Sequence, residues 1–216
     1  MGAVAGGYGV KFNTPHQSCL QDLLEWRRDV RHFDGRAVPE HLLDKLKDAM
    51  ELAPSVGNAR PWRVLRIETP ALRQQIRDEF EASNADAAQS YQGEDRQKYD
   101  ALKLAGLDIA PVQLAIFTET DPEEGRGLGR KTMPETLAQS TSMAIFSLWL
   151  TARSHNLGVG MVSILDPQRV IDILDVPATW QFNAYLCIGY PSFTDDTPLL
   201  HRAGWQENTP TLWQKR

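Results

Sequence analysis

Cysteine is scarce in this chain: 216 residues carry two, Cys19 and Cys187, far apart and in no metal-ligand spacing. Their apolar neighbours predict two buried thiols in a reducing compartment, not a disulfide framework. Long apolar runs are missing as well. None approaches the ~20 residues needed to cross a bilayer, so no membrane association is expected. The Gly- and Ala-rich first ten residues lack the basic-then-apolar order of a secretory signal. A loose tail over 1–13 ahead of a single domain, in a cytoplasmic protein, is the expectation. A positive charge balance is absent too. With 23 Lys and Arg against 28 Asp and Glu, the net charge is −5. That argues against general nucleic-acid binding, and any bound anion must meet a local cluster of cations. His16, His32, His41, His155 and His201 form no metal-ligand constellation, and no Ser/His/Asp triad can be placed. No metal is expected.

What is present, 42% hydrophobic and 24% charged residues, fits one soluble domain with a substantial core. The most concentrated chemistry lies in Glu25-Trp26-Arg27-Arg28-Asp29-Val30-Arg31, with three arginines and one aspartate in its last five residues. Leu20, Leu23 and Leu24 recur at i, i+3 and i+4 just before it, the pattern of a helix with one side to bury. Thr14, Pro15 and Gln17 read as its N-cap, first-turn proline and capping-box partner. The arginines then fall at or just past the helix C-terminus. There they can complement the negative end of the helix dipole in solvent. Alternatively, they form a guanidinium fork for a phosphate or an electron-rich ring, with Asp29 held among them.

Leu42, Leu43, Leu46, Ala49 and Met50 mark a second helix that ends at Ala53-Pro54-Ser55-Val56-Gly57-Asn58-Ala59-Arg60-Pro61-Trp62. Prolines and a glycine predict a tight, exposed loop offering backbone N–H groups, the Ser55 hydroxyl and the Arg60 cation. A plain connector is the competing reading. Strands are expected from Trp62 to Ile67, Pro111 to Phe117 and Phe182 to Gly189. Thr69-Pro70 opens a helix carrying Leu72, Ile76 and Phe80 that turns polar past Asn84, breaks at Gly93 and resumes from Arg96 to Leu107. This weakly amphipathic stretch suits a solvated surface or a cover over a pocket. The longest helix runs from Pro134 to Asn156, with Leu137, Thr141, Ile145, Leu148, Trp149 and Ala152 on its core face. Gly158 is read as the left-handed stop after it, leading into a buried strand. Gly158-Val159-Gly160 is no dinucleotide fingerprint, because it ends a helix rather than opening one and the third glycine is missing. Ser163 lies near that strand's end, where its hydroxyl can face a ligand or bond to backbone. From Pro191 onward the chain has no clear period. Trp205 and Trp213 suggest that this C-terminal extension packs onto something, such as a partner subunit.

Arg-Arg-Asp-Val-Arg at 27–31, Ala-Pro-Ser-Val-Gly-x-x-x-Pro-Trp at 53–62, a long helix and Gly-Val-Gly-Met-Val-Ser-Ile at 158–164 follow one another in an order that resembles the FMN-dependent nitroreductase-like family. More narrowly, the chain is similar to the 5,6-dimethylbenzimidazole synthase branch. Further marks of that branch are Lys98-Tyr99-x-x-Leu102-Lys103-Leu104-x-Gly106, Leu128-Gly129-Arg130 and Leu148-Trp149-Leu150-x-Ala152-Arg153. The resemblance implies an α+β fold, a mixed central sheet flanked by helices, in an intertwined homodimer with flavin at the subunit interface. It implies that Arg27, Arg28, Asp29, Val30 and Arg31 hold FMN, with further contacts from Ser55, Leu104 and Ser163. Leu104 would belong to a helical lid at about residues 84–106. Asp29 and Ser163 are the residues the family implicates in chemistry. The implied reaction consumes its flavin: reduced FMN and dioxygen give 5,6-dimethylbenzimidazole, the lower ligand of cobalamin, and erythrose 4-phosphate. A separate flavin reductase would supply the reduced FMN. Two other readings stay open, a NAD(P)H-dependent nitroreductase that recycles its FMN and a flavin-sequestering protein without chemistry. At Thr136, Leu137 and Gln139 the chain departs from a common family version, which has a Met-Asp pair and later a Tyr.

Overall fold

The computed structural model describes residues 9–102 and 106–216. Leu104, expected in a lid, lies outside the described residues. The first half of the chain contributes α1 (Thr14–Trp26), α2 (Glu40–Glu51), β1 (Trp62–Arg66), α3 (Pro70–Ala88), α4 (Gly93–Asp100) and β2 (Val112–Glu119). The second half adds α5 (Thr136–Ser154), β3 (Gly158–Val162), α6 (Pro167–Leu174), β4 (Trp180–Gly189) and α7 (Leu199–Arg202).

β2 and β4 are the interior strands of a sheet ordered β1-β2-β4-β3. Their side chains alternate, as a pleated strand requires. Val112, Ile116, Leu186 and Ile188 join Leu46 and Met50 of α2 and Ala144, Ile145, Leu148 and Ala152 of α5 in one core cluster. Ala115, Phe117, Tyr185 and Cys187 join Ile76 of α3 and Val170 of α6 in the other. Helices therefore cover both faces, an α+β arrangement. The expected mixed sheet needs correction: all three strand pairs are antiparallel. The parallel element is a single bridge from Asp29 to Val159, where the stretch after α1 touches the edge strand without becoming one.

Three local expectations shift. The cap of α1 is Asn13, whose side chain accepts the His16 N–H while the His16 ring returns to the Asn13 backbone, so the box sits one residue earlier than Thr14 and Gln17. Gly93, expected to break a helix, is the first residue of α4. The stop after α5 is Asn156 at φ +59, not Gly158. The Asn156 N–H reaches the Arg153 carbonyl at 2.9 Å and the Leu157 N–H reaches the Ala152 carbonyl at 2.8 Å, the paired bonds of a Schellman motif.

All six residues expected on the core face of α5 are buried. No residue of α1 is. Leu20 and Leu24 are 51% and 39% exposed, so the apolar stripe of α1 faces away from this chain's own core. Trp205 packs within its own chain, edge-on to Tyr91 at 5.3 Å, while Tyr91 stacks on Tyr99 at 4.8 Å. No helix among the described residues is long and apolar enough to cross a membrane.

The two thiols differ, against the expectation that both are buried. Cys187 is enclosed in β4 and Cys19 is exposed on α1. Burial pushes the Cys187 thiol up to about 12. Native protein at about pH 8 should therefore yield one thiol per chain to a disulfide reagent, and two in denaturant. The folded thiol keeps its proton to about 12, whereas an unfolded one at the ordinary 9.0 releases it earlier. Its stabilising contribution is complete below the lower value and declines as pH rises toward the upper one, which alkaline melting curves of the parent and of Cys187→Ala will compare.

Candidate active site

At the end of α1 the Arg27 N–H still reaches the Leu23 carbonyl at 2.9 Å, but Arg27 itself turns to extended backbone. The next residues run beside β3. The Val30 N–H donates to the Val159 carbonyl at 3.0 Å, and the Met161 N–H donates to Asp29 Oδ1 at 2.8 Å. Two glycines permit this approach. A Cβ on Gly160 would stand 2.1 Å from the Val30 carbonyl oxygen, and one on Gly158 would stand 2.7 Å from a Val30 methyl. Gly-Val-Gly is thus a close-approach device that seats the arginine stretch on the sheet edge.

The three arginines do three different things. Arg28 behaves as the helix-dipole reading expects: its Nη1 donates to the Leu24 carbonyl at 3.2 Å and the Arg27 carbonyl at 3.0 Å. Its Nε also ties α1 to the C-terminal extension through the Asp196 carbonyl at 2.6 Å. Arg31 serves Asp29, donating to Oδ2 from Nε at 2.5 Å and from Nη2. Both carboxylate oxygens of Asp29 therefore have a donor, while its side chain stays 31% exposed. Arg27 is the one left over. Its guanidinium carbon lies 5.0 Å from the Trp149 ring centroid and 5.8 Å from that of Phe146. Its Nε is buried without a hydrogen-bond partner among the described residues. Burial lowers its pKa, the charge of Arg28 lowers it further, and Asp29 opposes both.

Arg27, Trp26, Trp149, Arg153 and Phe193 line a cleft between α1, α5 and the C-terminal extension. Trp149 on its lining carries a second buried donor without an acceptor among the described residues, Nε1. Buried donors are nearly always satisfied. This pair suits a ligand rich in acceptor oxygens and bearing negative charge. Trp149 reads from the sequence as core and as part of a motif, and Arg153 as part of that motif, neither as a ligand contact.

Ser55 is not brought to this corner within one chain. The Val56 N–H donates to Ser140 Oγ at 3.0 Å, and Ser140 precedes Trp149 by nine positions (149 − 140) on α5. That is roughly 13 Å of helix. Ser55 Oγ accepts the Arg60 N–H at 3.1 Å, which leaves its hydroxyl proton for another acceptor. Ser163 is exposed, one residue beyond β3 and two beyond Met161. Gly106 adjoins the arginine stretch, since a Cβ there would lie 2.5 Å from the Phe33 ring and 3.4 Å from the Arg31 carbonyl oxygen. Among the described residues no group of three or more His, Cys, Asp or Glu could hold a metal ion.

The chain belongs to the nitroreductase family, whose model matches residues 24–190. At finer resolution, the chain is 56% identical to a 5,6-dimethylbenzimidazole synthase of Rhodobacter capsulatus, over 96% of this chain and 100% of that protein. A 5,6-dimethylbenzimidazole synthase of Rhodospirillum rubrum is 49% identical over 94% of this chain and 96% of its own length. Among solved structures, oxidized iodotyrosine deiodinase bound to FMN and 3-iodo-L-tyrosine superposes with a TM-score of 0.70. That match covers 91% of this chain and 97% of the deiodinase at 24% identity, a likeness of fold.

Proposed function

We propose that this chain is an enzyme that makes 5,6-dimethylbenzimidazole, the lower ligand of cobalamin, from reduced FMN and dioxygen, releasing erythrose 4-phosphate. Its match to synthases of that compound over nearly the whole chain carries the reading. The site residues add support. When bound, the reduced flavin supplies electrons to dioxygen, so no metal is required. Arg27, without an ionic partner of its own among the described residues, is the cation available to the ligand's negative charge, and Arg28 stands beside it. Asp29 is the base that removes a proton from carbon at the ribityl attachment. The Met161 N–H and Arg31 fix its carboxylate, and Oδ1, which accepts one bond, keeps a lone pair for the proton. Val30 holds the stretch to β3. The Ser163 hydroxyl orients an oxygen or nitrogen of the reacting system without acting as a nucleophile.

The flavin site spans two copies of the chain. Ser55 stands at the far end of α5 from the arginines, and α1, with exposed Leu20 and Leu24, packs beside α5, which exposes Met143 and Phe146. An apolar surface of that kind fits a homodimer in which Ser55 of one chain serves the arginine corner of the other. The polar end of α3 with α4, steadied by Trp205 on Tyr91, belongs to the lid that closes the flavin from water. Reduced FMN comes from a separate reductase.

Supplying reduced FMN in air and assaying for the benzimidazole is the direct test. Product is expected, with no brisk oxidation when NADPH is given alone. Rapid NADPH oxidation without benzimidazole would instead mark a nitroreductase that recycles its flavin, and neither activity would mark a sequestering protein.

A further inference from the structure

We infer that Trp149 is a further ligand-contacting residue, its indole N–H donating to an acceptor oxygen of the flavin in the cleft it shares with Arg27. The inference rests on reading that cleft as the flavin seat. Trp149 occupies a core register of α5 and is 9% exposed. What distinguishes indole from a purely apolar ring is its N–H donor, and that donor is buried with no acceptor among the described residues. A tryptophan kept on structural grounds normally finds a partner for its N–H. The neighbouring donor is in the same condition: Arg27 Nε is buried and unbonded, with its guanidinium held over the Trp149 ring by the 5.0 Å stack. Arg27 and Trp149 line one cleft, each with a buried donor unsatisfied among the described residues, and with Arg153 on the same lining they call for one acceptor-rich group. A flavin mononucleotide offers two such groups, the phosphate and the ring carbonyls.

Trp149→Phe keeps an aromatic ring under Arg27 and removes the N–H. Titration with oxidised FMN should show affinity lowered on the order of tenfold, the effect of losing a hydrogen bond to a charged or strongly polar acceptor. The smaller ring also empties part of the core, so the ligand-free variant should melt somewhat lower than the parent whatever the N–H does. Ligand contact is read instead from the rise in melting temperature on FMN addition, which should be smaller in the variant than in the parent. Riboflavin, which lacks the phosphate, distinguishes the acceptors: an unchanged riboflavin affinity assigns the N–H to phosphate, and an equal loss assigns it to a ring carbonyl. Unchanged FMN affinity in Trp149→Phe beside a loss in Arg27→Ala overturns the role of Trp149 and keeps the seat. No change in either variant overturns the seat itself. An FMN-dependent rise in melting temperature in Trp149→Phe equal to that of the parent overturns the inference. In the parent protein the same point is read by nitrogen-edited NMR: the Trp149 indole proton should move downfield on FMN addition, and a stationary resonance overturns the assignment.

Discussion

Asp29→Asn is expected to bind FMN about as tightly as the parent and to lose benzimidazole formation by about 10²- to 10⁴-fold, the usual contribution of one positioned general base. The substitution is close to isosteric. An amide oxygen can still accept the Met161 N–H that Asp29 Oδ1 accepts at 2.8 Å, so the contact of the arginine stretch with β3 survives. What disappears is the group that takes the proton. Arg31 also loses its carboxylate, which adds a free guanidinium to the corner and cannot weaken its hold on an anion. Chromatographic assay of the benzimidazole beside a flavin titration separates the two effects. Product at the parent rate would remove Asp29 as the base. A collapse of flavin affinity would give it a binding role instead.

The largest structural effect should come from Gly160→Ala. A methyl placed 2.1 Å from the Val30 carbonyl oxygen cannot be absorbed by a rotamer change, because both parties are backbone. Either β3 moves out or the Arg27–Arg31 stretch lifts away from it. The expected loss is roughly 3 kcal/mol, the upper range for overpacking. For a chain of this size that corresponds to a melting temperature lower by roughly 6–12 °C. Flavin affinity should fall too, because Asp29 and Val30 are seated by that contact. A variant melting with the parent and binding FMN normally would show that β3 and the arginine stretch are not held together as described.

Some of this was legible residue by residue. The core face of α5, from Leu137 to Ala152, follows from helical spacing, since burial of one side of a helix repeats locally. The centrality of β2 follows from its apolar run. The arginine stretch stands out because three cations so close to one aspartate are uncommon in a chain of negative net charge. Other readings failed where a local signal had two causes. Glycine at 158 satisfies both a helix stop and a close approach, and the left-handed residue proved to be Asn156. Cys19 sits among leucines, but their side of α1 is exposed. Trp149 on a core face carries no sign that its N–H lacks a partner.

Sequence alone determined the elements, the apolar faces, the placement of the charged stretch at a helix end and, through motif order, the family. All but the motif order depend on residues within a turn or two of one another. Tertiary structure alone decided how the arginines divide their work, Arg28 on carbonyls, Arg31 on Asp29 and Arg27 over Trp149. It also set Ser55 at the opposite end of α5. Each of these depends on which distant backbone comes near, as Met161 comes to Asp29 across 132 positions, and contacts of that range are fixed by how the layers pack.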